Sequence, residues 1–238
     1  MQSIKEWLNT PETKALRAAK VGENMEHAFF RDPMRHIFMD PDLIYSPADG
    51  VVLYALPEVK PNDFLEIKGK EFALKDLLCL PKFNEVCLVV GIFMTSYDVH
   101  INRIPASAYY LEDRGTNQIY THNISMLLAE NDLFDDLGYD KKHLTYLSAN
   151  ERKVSTFYCP TIGGRYYLVQ IGDRDIDVIN NWGVGHHAFQ GERMGGIRWG
   201  SQVDLVIPLT SEIKFKLMVK KLDHIQAGLD PLAQIIRR

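Results

Sequence analysis

The sequence predicts an α+β fold: a predominantly antiparallel β domain, barrel- or sandwich-like, preceded by N-terminal helices. Two observations carry this expectation. From residue 51 onward, runs rich in Val, Ile, Tyr and Phe recur between turns containing Gly, Asp and Pro, the composition of short strands joined by tight connections. The one strong helix-start signal lies before residue 40, where Thr10, Pro11 and Glu12 stand in the order of an N-cap, a first helical position and an acidic first turn. The chain therefore divides into an N-terminal helical segment over 1–40 and a β-rich domain over 41–238.

Each element follows from its own pattern. "NTPETKALRAAKVGENMEHAFF" reads as a helix from Thr10 onward. Ile4, Trp7 and Leu8, just before it, make a small apolar stripe that is expected to pack on the core, with a membrane-facing stripe as the alternative. "VVLYAL", "FLEIKG", "EVCLVVGIFM", "KVSTFYC", "RYYLVQIG" and "VDLVIP" read as strands. A more polar stretch, "NISMLLAENDLFDDLGYDKKHL", reads as helix decorating the sheet.

Bulk properties narrow the function. With 238 residues, 46% of them hydrophobic, the chain can bury a sizeable core. A net charge of −4 gives no basic field, so nucleic acid is not expected as a partner. Cys79, Cys87 and Cys159 form no close-spaced pair, which argues against a disulfide framework or a cysteine zinc site and for a reducing compartment. The N-terminus is mixed and charged, unlike a signal peptide. "VCLVVGIFM" is too short to span a bilayer. The expectation is a cytoplasmic protein that is soluble or sits on a membrane.

Three stretches hold the polar groups able to do chemistry. They are "SPADG" with Asp49, "TSYDVHINRIP" with Asp98, His100 and Arg103, and the pair Gly200-Ser201 at the mouth of the "VDLVIP" run. In chain order they offer Asp, His and Ser, the types that activate a hydroxyl nucleophile through an oriented imidazole. The same residues have plainer readings: Asp49 as a turn residue, His100 as a core histidine, Arg103 as the partner of Asp98 or a binder of carboxylate or phosphate. His186 and His187 are adjacent and diverge in an extended segment, so they read as loop histidines, and no metal is expected.

In "FFRDPMR", "SPADGVV", "IKGKEFALKDLL", "FMTSYDVHINRIPAS", "NERKV" and "GERMGGIRWGSQVDLVIP", taken in order through most of the chain, the sequence resembles the phosphatidylserine decarboxylase family of self-processing pyruvoyl enzymes. The resemblance implies that the Gly200–Ser201 bond is cut by the chain itself, giving fragments 1–200 and 201–238, and that Ser201 becomes a pyruvoyl group. It implies that His100, oriented by Asp49, activates Ser201. In one form of the family a second histidine stands where Arg103 stands here, so His100 is left to serve both processing and decarboxylation. The implied substrate is a serine-headed phospholipid or a related compound carrying an amine and an acid, with Arg103, Arg198 and Lys68 as candidates for binding it. Contact with a membrane surface and a homo-oligomer are expected. The alternatives are decarboxylation of another serine-like or amino-acid substrate, a Ser-His-Asp hydrolase, or a non-catalytic relative that stays uncut. Against the hydrolase, "GSQVD" lacks the flanking glycines of a nucleophile elbow.

Overall fold

The computed structural model describes residues 1–19, 30–116, 123–135, 137–173, 179–181, 186–198 and 201–237. Its centre is a nine-stranded antiparallel sheet. The strand order is Gln2–Ser3, Asp223–Ile225, Gly50–Val59, Cys87–Met94, Ser201–Pro208, Gly164–Gly172, Arg152–Cys159, Ala108–Thr116 and His187–Ala188. Among the described residues, two three-stranded sheets and the Phe64–Ile67/Lys70–Ala73 hairpin make up the rest of the β structure. The α+β expectation holds, with helices as minor, peripheral pieces.

Both faces of the large sheet are covered. Val52, Val90, Ile92, Met94, Val203, Leu205 and Leu168 belong to one apolar cluster. Val51, Leu53, Val89, Phe93, Val206, Tyr167 and Val169 belong to the other. Because side chains alternate along a strand, a sheet buried on both sides needs strands that are apolar at consecutive positions. That is why "CLVVGIFM" and most of "VDLVIP" read as continuous hydrophobic runs, and every residue of Cys87–Met94 and Ser201–Pro208 is buried.

In the N-terminal segment the helix that starts after Thr10 ends at Ala18. Ile4–Leu8 is a helix closed by a Ser3–Glu6 capping box, and Pro11–Ala18 follows with the Thr10 side chain accepting from the Thr13 N–H. Residues 20–29 of the expected helix lie outside the described residues. Residues 31–40 are neither helix nor strand, and over 31–38 their burial alternates along the chain. Ile4, Trp7 and Leu8 are buried in the core beneath the sheet, as the packing reading expected. Leu127–Asp135 is helical within the polar stretch, followed by a 3-10 turn at Lys141–Thr145.

One polar network is set into this core. Asp204 accepts from the Tyr54 hydroxyl (2.9 Å) and from the Gln202 amide (2.7 Å), and the Tyr146 hydroxyl donates to the other end of Gln202 (2.6 Å). Burial pushes the Asp204 carboxyl up to about 7, against the opposing hydrogen bonds of Gln202 and Tyr54. A carboxyl raised in the folded state favours folding most below its unfolded value near 3.9, and that contribution is lost as the pH rises through about 7. Asp204→Asn, which stays neutral at all pH values, should therefore be more stable than the wild type at pH 8, by on the order of 3–4 kcal/mol at most, and the gap should close by pH 4. Urea unfolding of both proteins at pH 4, 6 and 8 checks this; a gap that does not change with pH contradicts it.

Candidate active site at one end of the sheet

Three strand ends converge where the candidate residues stand. Gly50–Val59 begins there, Cys87–Met94 ends there and Ser201–Pro208 begins there, because neighbouring strands run antiparallel. Asp49 precedes the first of these, Thr95 to Asp98 follow the second, and Ser201 opens the third.

Ser201 is fully buried and sits between Met94 on one side and Gly172 on the other. Its hydroxyl donates to the Met94 Sδ at 3.3 Å, and the Asn102 amide reaches the same sulfur at 3.5 Å. Asn102 lies on Ile101–Arg103, which pairs with Arg193–Ile197. The Ile197 N–H bonds the His100 carbonyl at 3.2 Å. Ser201 follows Ile197 by four residues, a span of at most about 14 Å of extended chain. His100 is thus tied to the segment that leads into the Gly200–Ser201 bond. Ser201 is described; Trp199 and Gly200 lie outside the described residues.

His100 is buried, and its Nδ1 lies 3.0 Å from the Asp98 carbonyl oxygen. A carbonyl only accepts, so Nδ1 carries the proton and the neutral ring keeps its lone pair on Nε2. Burial lowers its pKa to about 4, outweighing the Asp98 contacts that raise it. At neutral pH this imidazole is a base.

Asp49 does not orient it. Both Asp49 oxygens are held by Arg35 at 2.6 Å, and the Ala227 N–H adds a bond at 2.7 Å. The expected Asp49–His100 contact is replaced by an ion pair for a simple reason. A buried carboxylate needs a full countercharge, and a bidentate guanidinium supplies two parallel hydrogen bonds with it. Burial raises the Asp49 carboxyl, with Arg35 pulling the other way. At this end of the sheet it is His224 that meets a carboxylate: its Nε2 donates to Asp98 Oδ1 at 2.7 Å while Trp7 stacks on its ring at 4.0 Å. The Thr95 N–H and hydroxyl hold the other Asp98 oxygen at 2.9 and 2.7 Å. Burial works to raise Asp98, but His224 and Thr95 overcome it and hold the carboxyl below its ordinary value. This pair lies beyond the sequence reading: nothing in "LDHIQAG" marks His224 as more than a strand residue. Arg35 had a signal, since it stands in the "FFRDPMR" match.

Arg103 is buried, donates to the Gly191 carbonyl at 2.8 Å and lies 3.6 Å from Asp32, which also pairs with Arg193 at 2.7 Å. Burial, Arg35 and Arg193 all lower the Arg103 pKa. In the group Arg35, Arg103, Arg193, Asp32 and Asp49, cations outnumber carboxylates, so the group is receptive to an anion. Arg198 is exposed shortly before Ser201. Lys68 is not brought to the site: it is exposed at the tip of the Phe64–Ile67/Lys70–Ala73 hairpin, with φ of 50°, in a sheet of its own. His187 lies on the edge strand with its ring against Tyr109 and Phe189. Among the described residues no group of His, Cys, Asp and Glu is arranged to hold a metal ion.

The Arg35–Asp49 pair has a measurable consequence. Both side chains are only 4% exposed. Arg35→Ala should lower the unfolding free energy by about 3–5 kcal/mol, because it strands a buried charge, whereas Arg35→Met with Asp49→Leu should recover most of it. Chemical denaturation of the three proteins reads this directly; a loss under about 1 kcal/mol for Arg35→Ala means the pair is not buried in solution.

Comparison with known proteins adds to the geometry. Residues 27–233 match the family model described as phosphatidylserine decarboxylase. Among curated relatives, the phosphatidylserine decarboxylase proenzyme of Magnetococcus marinus is 30% identical over 193 residues, covering 79% of this chain and 70% of that protein. Proteins of the same name from Geotalea daltonii and Amoebophilus asiaticus are 28% and 25% identical, covering 78% and 87% of this chain and 70% and 74% of their own.

Proposed function

The chain belongs to the phosphatidylserine decarboxylase family of carboxy-lyases, and on that premise we propose that it is a proenzyme that cuts its own Gly200–Ser201 bond and then removes carbon dioxide from the serine headgroup of phosphatidylserine, leaving an ethanolamine headgroup. The observation that carries the reading is the buried Ser201 at a strand mouth, on the segment tied to a neutral, basic His100.

In processing, His100 Nε2 takes the proton of the Ser201 hydroxyl as its oxygen attacks the Gly200 carbonyl carbon. The C–N bond breaks and the acyl group moves from nitrogen to oxygen, giving an ester. Glycine on the acyl side has no Cβ to obstruct that attack. Removal of the Ser201 α-proton then expels the Gly200 carboxylate and leaves dehydroalanine at position 201. One water hydrolyses it, releasing ammonia and leaving a pyruvoyl group. The surroundings suit this change: the hydroxyl that is lost meets a thioether, a weak acceptor, so its removal strands no strong hydrogen-bonding group.

Once formed, a pyruvoyl group supplies an electrophilic carbonyl and an electron sink for the pair released with carbon dioxide. The chain's own residues do the rest. His100, protonated in turn, returns a proton to the substrate α-carbon. Arg103, in a group with an excess of cations, offers a donor for the substrate's anionic headgroup. The Asp98–His224 pair and Thr95 hold the turn that precedes His100 and so act as positioning groups. Contact with a membrane is part of this reading because the substrate is a lipid. No helix among the described residues is long and apolar enough to cross one.

The test is intact mass and a denaturing gel. Wild type should give two fragments, 1–200 and 201–238, the shorter one lighter by one ammonia than a peptide that starts with serine. Ser201→Ala should remain one chain and release no carbon dioxide from phosphatidylserine. His100→Ala should remain uncut; if it is cut normally but inactive, another base activates Ser201. A wild-type chain that keeps its full-length mass after prolonged folding overturns the proposal.

A further inference from the structure

The face of the large sheet that carries Ser201 is covered by the small sheet of Ile179–Asn181, Arg193–Ile197 and Ile101–Arg103. Ile179, Met194 and Ile197 of that small sheet share an apolar cluster with Met94 and Val203. A polar pair is set into this contact. The Gln170 amide donates to Asn102 Oδ1 at 2.8 Å, and Asn102 Nδ2 reaches the Met94 Sδ at 3.5 Å. Asn102, Gln170 and Met94 are all wholly buried. Gln170 is paired with Val203, so it lies on the same sheet face as Ser201. Among the described residues Gln170 Oε1 has no donor, and its side chain is held through the bond to Asn102.

This pair aims a donor at Ser201. A thioether has no proton to give, so only the NH2 end of Asn102 can bond it, and the Gln170 amide fixes the other end as the acceptor. The Ser201 hydroxyl bonds the same sulfur at 3.3 Å. The Asn102 NH2 group and Ser201 Oγ are therefore neighbours across one sulfur atom. For packing alone this is a poor place for an asparagine, because a buried N–H on a weak acceptor loses its water without gaining a strong bond. A donor held in this way suits a negative charge that arises only during reaction. Self-cleavage produces such a charge on this oxygen. After the acyl shift Oγ is an ester oxygen with no proton, and His100 is neutral again once it has protonated the Ser201 amine. In the elimination the Ser201 Cα–H bond breaks, its proton goes to His100 and its electron pair forms the Cα=Cβ bond. The Cβ–Oγ bond breaks with its pair on Oγ, which departs as part of the Gly200 carboxylate. Met94 can give way to the amide, since its side chain is unbranched and turns about three bonds.

We propose that Asn102 is a further catalytic residue of the self-cleavage, its Nδ2 donating to Ser201 Oγ as that oxygen leaves with the Gly200 carboxylate, and that Gln170 is the positioning residue that keeps the amide turned this way. The assignment rests on the self-cleavage reading and divides its labour. His100 moves protons, whereas Asn102 moves none and stabilises the charge on the leaving oxygen. Asn102 therefore acts on the elimination and not on the first attack, when Oγ is losing a proton to His100.

The experiment follows the full chain, newly made by cell-free synthesis, as it matures in neutral hydroxylamine, which cuts an ester but spares a peptide bond. Trapped ester gives a 201–238 fragment that starts with serine. Completed elimination gives the same fragment with a pyruvoyl start, recovered as its oxime. Mass spectrometry reads the ratio of the two. Asn102→Leu, which keeps the bulk and removes the donor, should raise the serine-to-pyruvoyl ratio about 100-fold. Gln170→Leu, which leaves Asn102 in place but lets its amide turn, should raise it about tenfold. A change that only loosens the fold lowers both fragments together and leaves the ratio where it was. A ratio for Asn102→Leu within about twofold of wild type overturns the assignment. If Asn102→Leu yields no fragment because it does not fold, the ratio for Gln170→Leu decides in the same way, and an unmoved one overturns it. A wild type that yields neither fragment overturns the self-cleavage reading itself, whereas a wild type that is cut, with the ratio unmoved in the variants, overturns the role of Asn102 alone.

Discussion

Arg35 and Asp49 meet at 2.6 Å with both side chains almost wholly removed from water, and the site is assembled around that contact. Neither charge is tolerable there alone, since desolvation of a single ion costs several kcal/mol. Their pairing therefore fixes three separate parts of the chain at once. The strap over 30–40 is drawn against the sheet, the mouth of Gly50–Val59 is held in place, and the turn at Ala227 is closed by bonds from both partners. Because Asp49 is occupied in this way, it cannot also serve as the orienting carboxylate of His100. That task passes to the backbone carbonyl of Asp98.

This arrangement explains how a buried imidazole can be kept neutral close to several charges. His100 bonds a carbonyl, which offers no countercharge, and burial then lowers its proton affinity. His224 bonds a carboxylate instead, and it is Asp98 whose proton affinity is lowered. The pairing of neighbouring positions across the sheet separates the two faces. His224, Val51, Phe93 and Gln202 lie in one cross-strand row, facing the side where Trp7 packs. Ser201 and Met94 form the adjacent row and face the other side. The Asp98 turn joins the two: its side chain reaches His224 and its carbonyl reaches His100.

The six strands read from the sequence all form, within Gly50–Val59, Phe64–Ile67, Cys87–Met94, Arg152–Cys159, Gly164–Gly172 and Ser201–Pro208, and burial on both faces accounts for the continuous apolar runs of Cys87–Met94 and Ser201–Pro208. Ala108–Thr116 ("AYYLEDRGT") and Ile213–Leu217 ("IKFKL") were not singled out, because charged residues dilute the apolar signal of half-exposed or peripheral strands. The strap at 30–40 was read as part of the helical segment. Its course is set by contacts with Asp49, Tyr97 and Gln190, residues outside the segment. Asp49, His100, Arg103 and Ser201 could be named from motif matches. Their pairings could not: the Asp98–His224 bond spans 126 positions, and residue types alone do not say which aspartate a histidine will meet. Lys68 shows the converse error, a plausible cation that the hairpin carries away from the site.

The same ladders bear on what a break before Ser201 does to the molecule. Ser201–Pro208 pairs along its whole length with Cys87–Met94 on one side and, through Val206, with Gly164–Gly172 on the other. Asp223–Ile225 pairs with Gly50–Val59 and with Gln2–Ser3, and Pro231–Arg237 pairs with Leu43–Tyr45. Three strands that follow residue 200 are thus sewn to strands that precede it, and their apolar side chains fill both clusters of the core. Cutting one peptide bond at the strand mouth removes none of these pairings. It frees a chain end while the rest of the strand stays clamped between two neighbours, with Gln202 and Asp204 anchored to Tyr146 and Tyr54 on the far face. A self-cleaving chain needs that combination: local freedom at the new terminus, and a sheet that does not depend on the bond being broken.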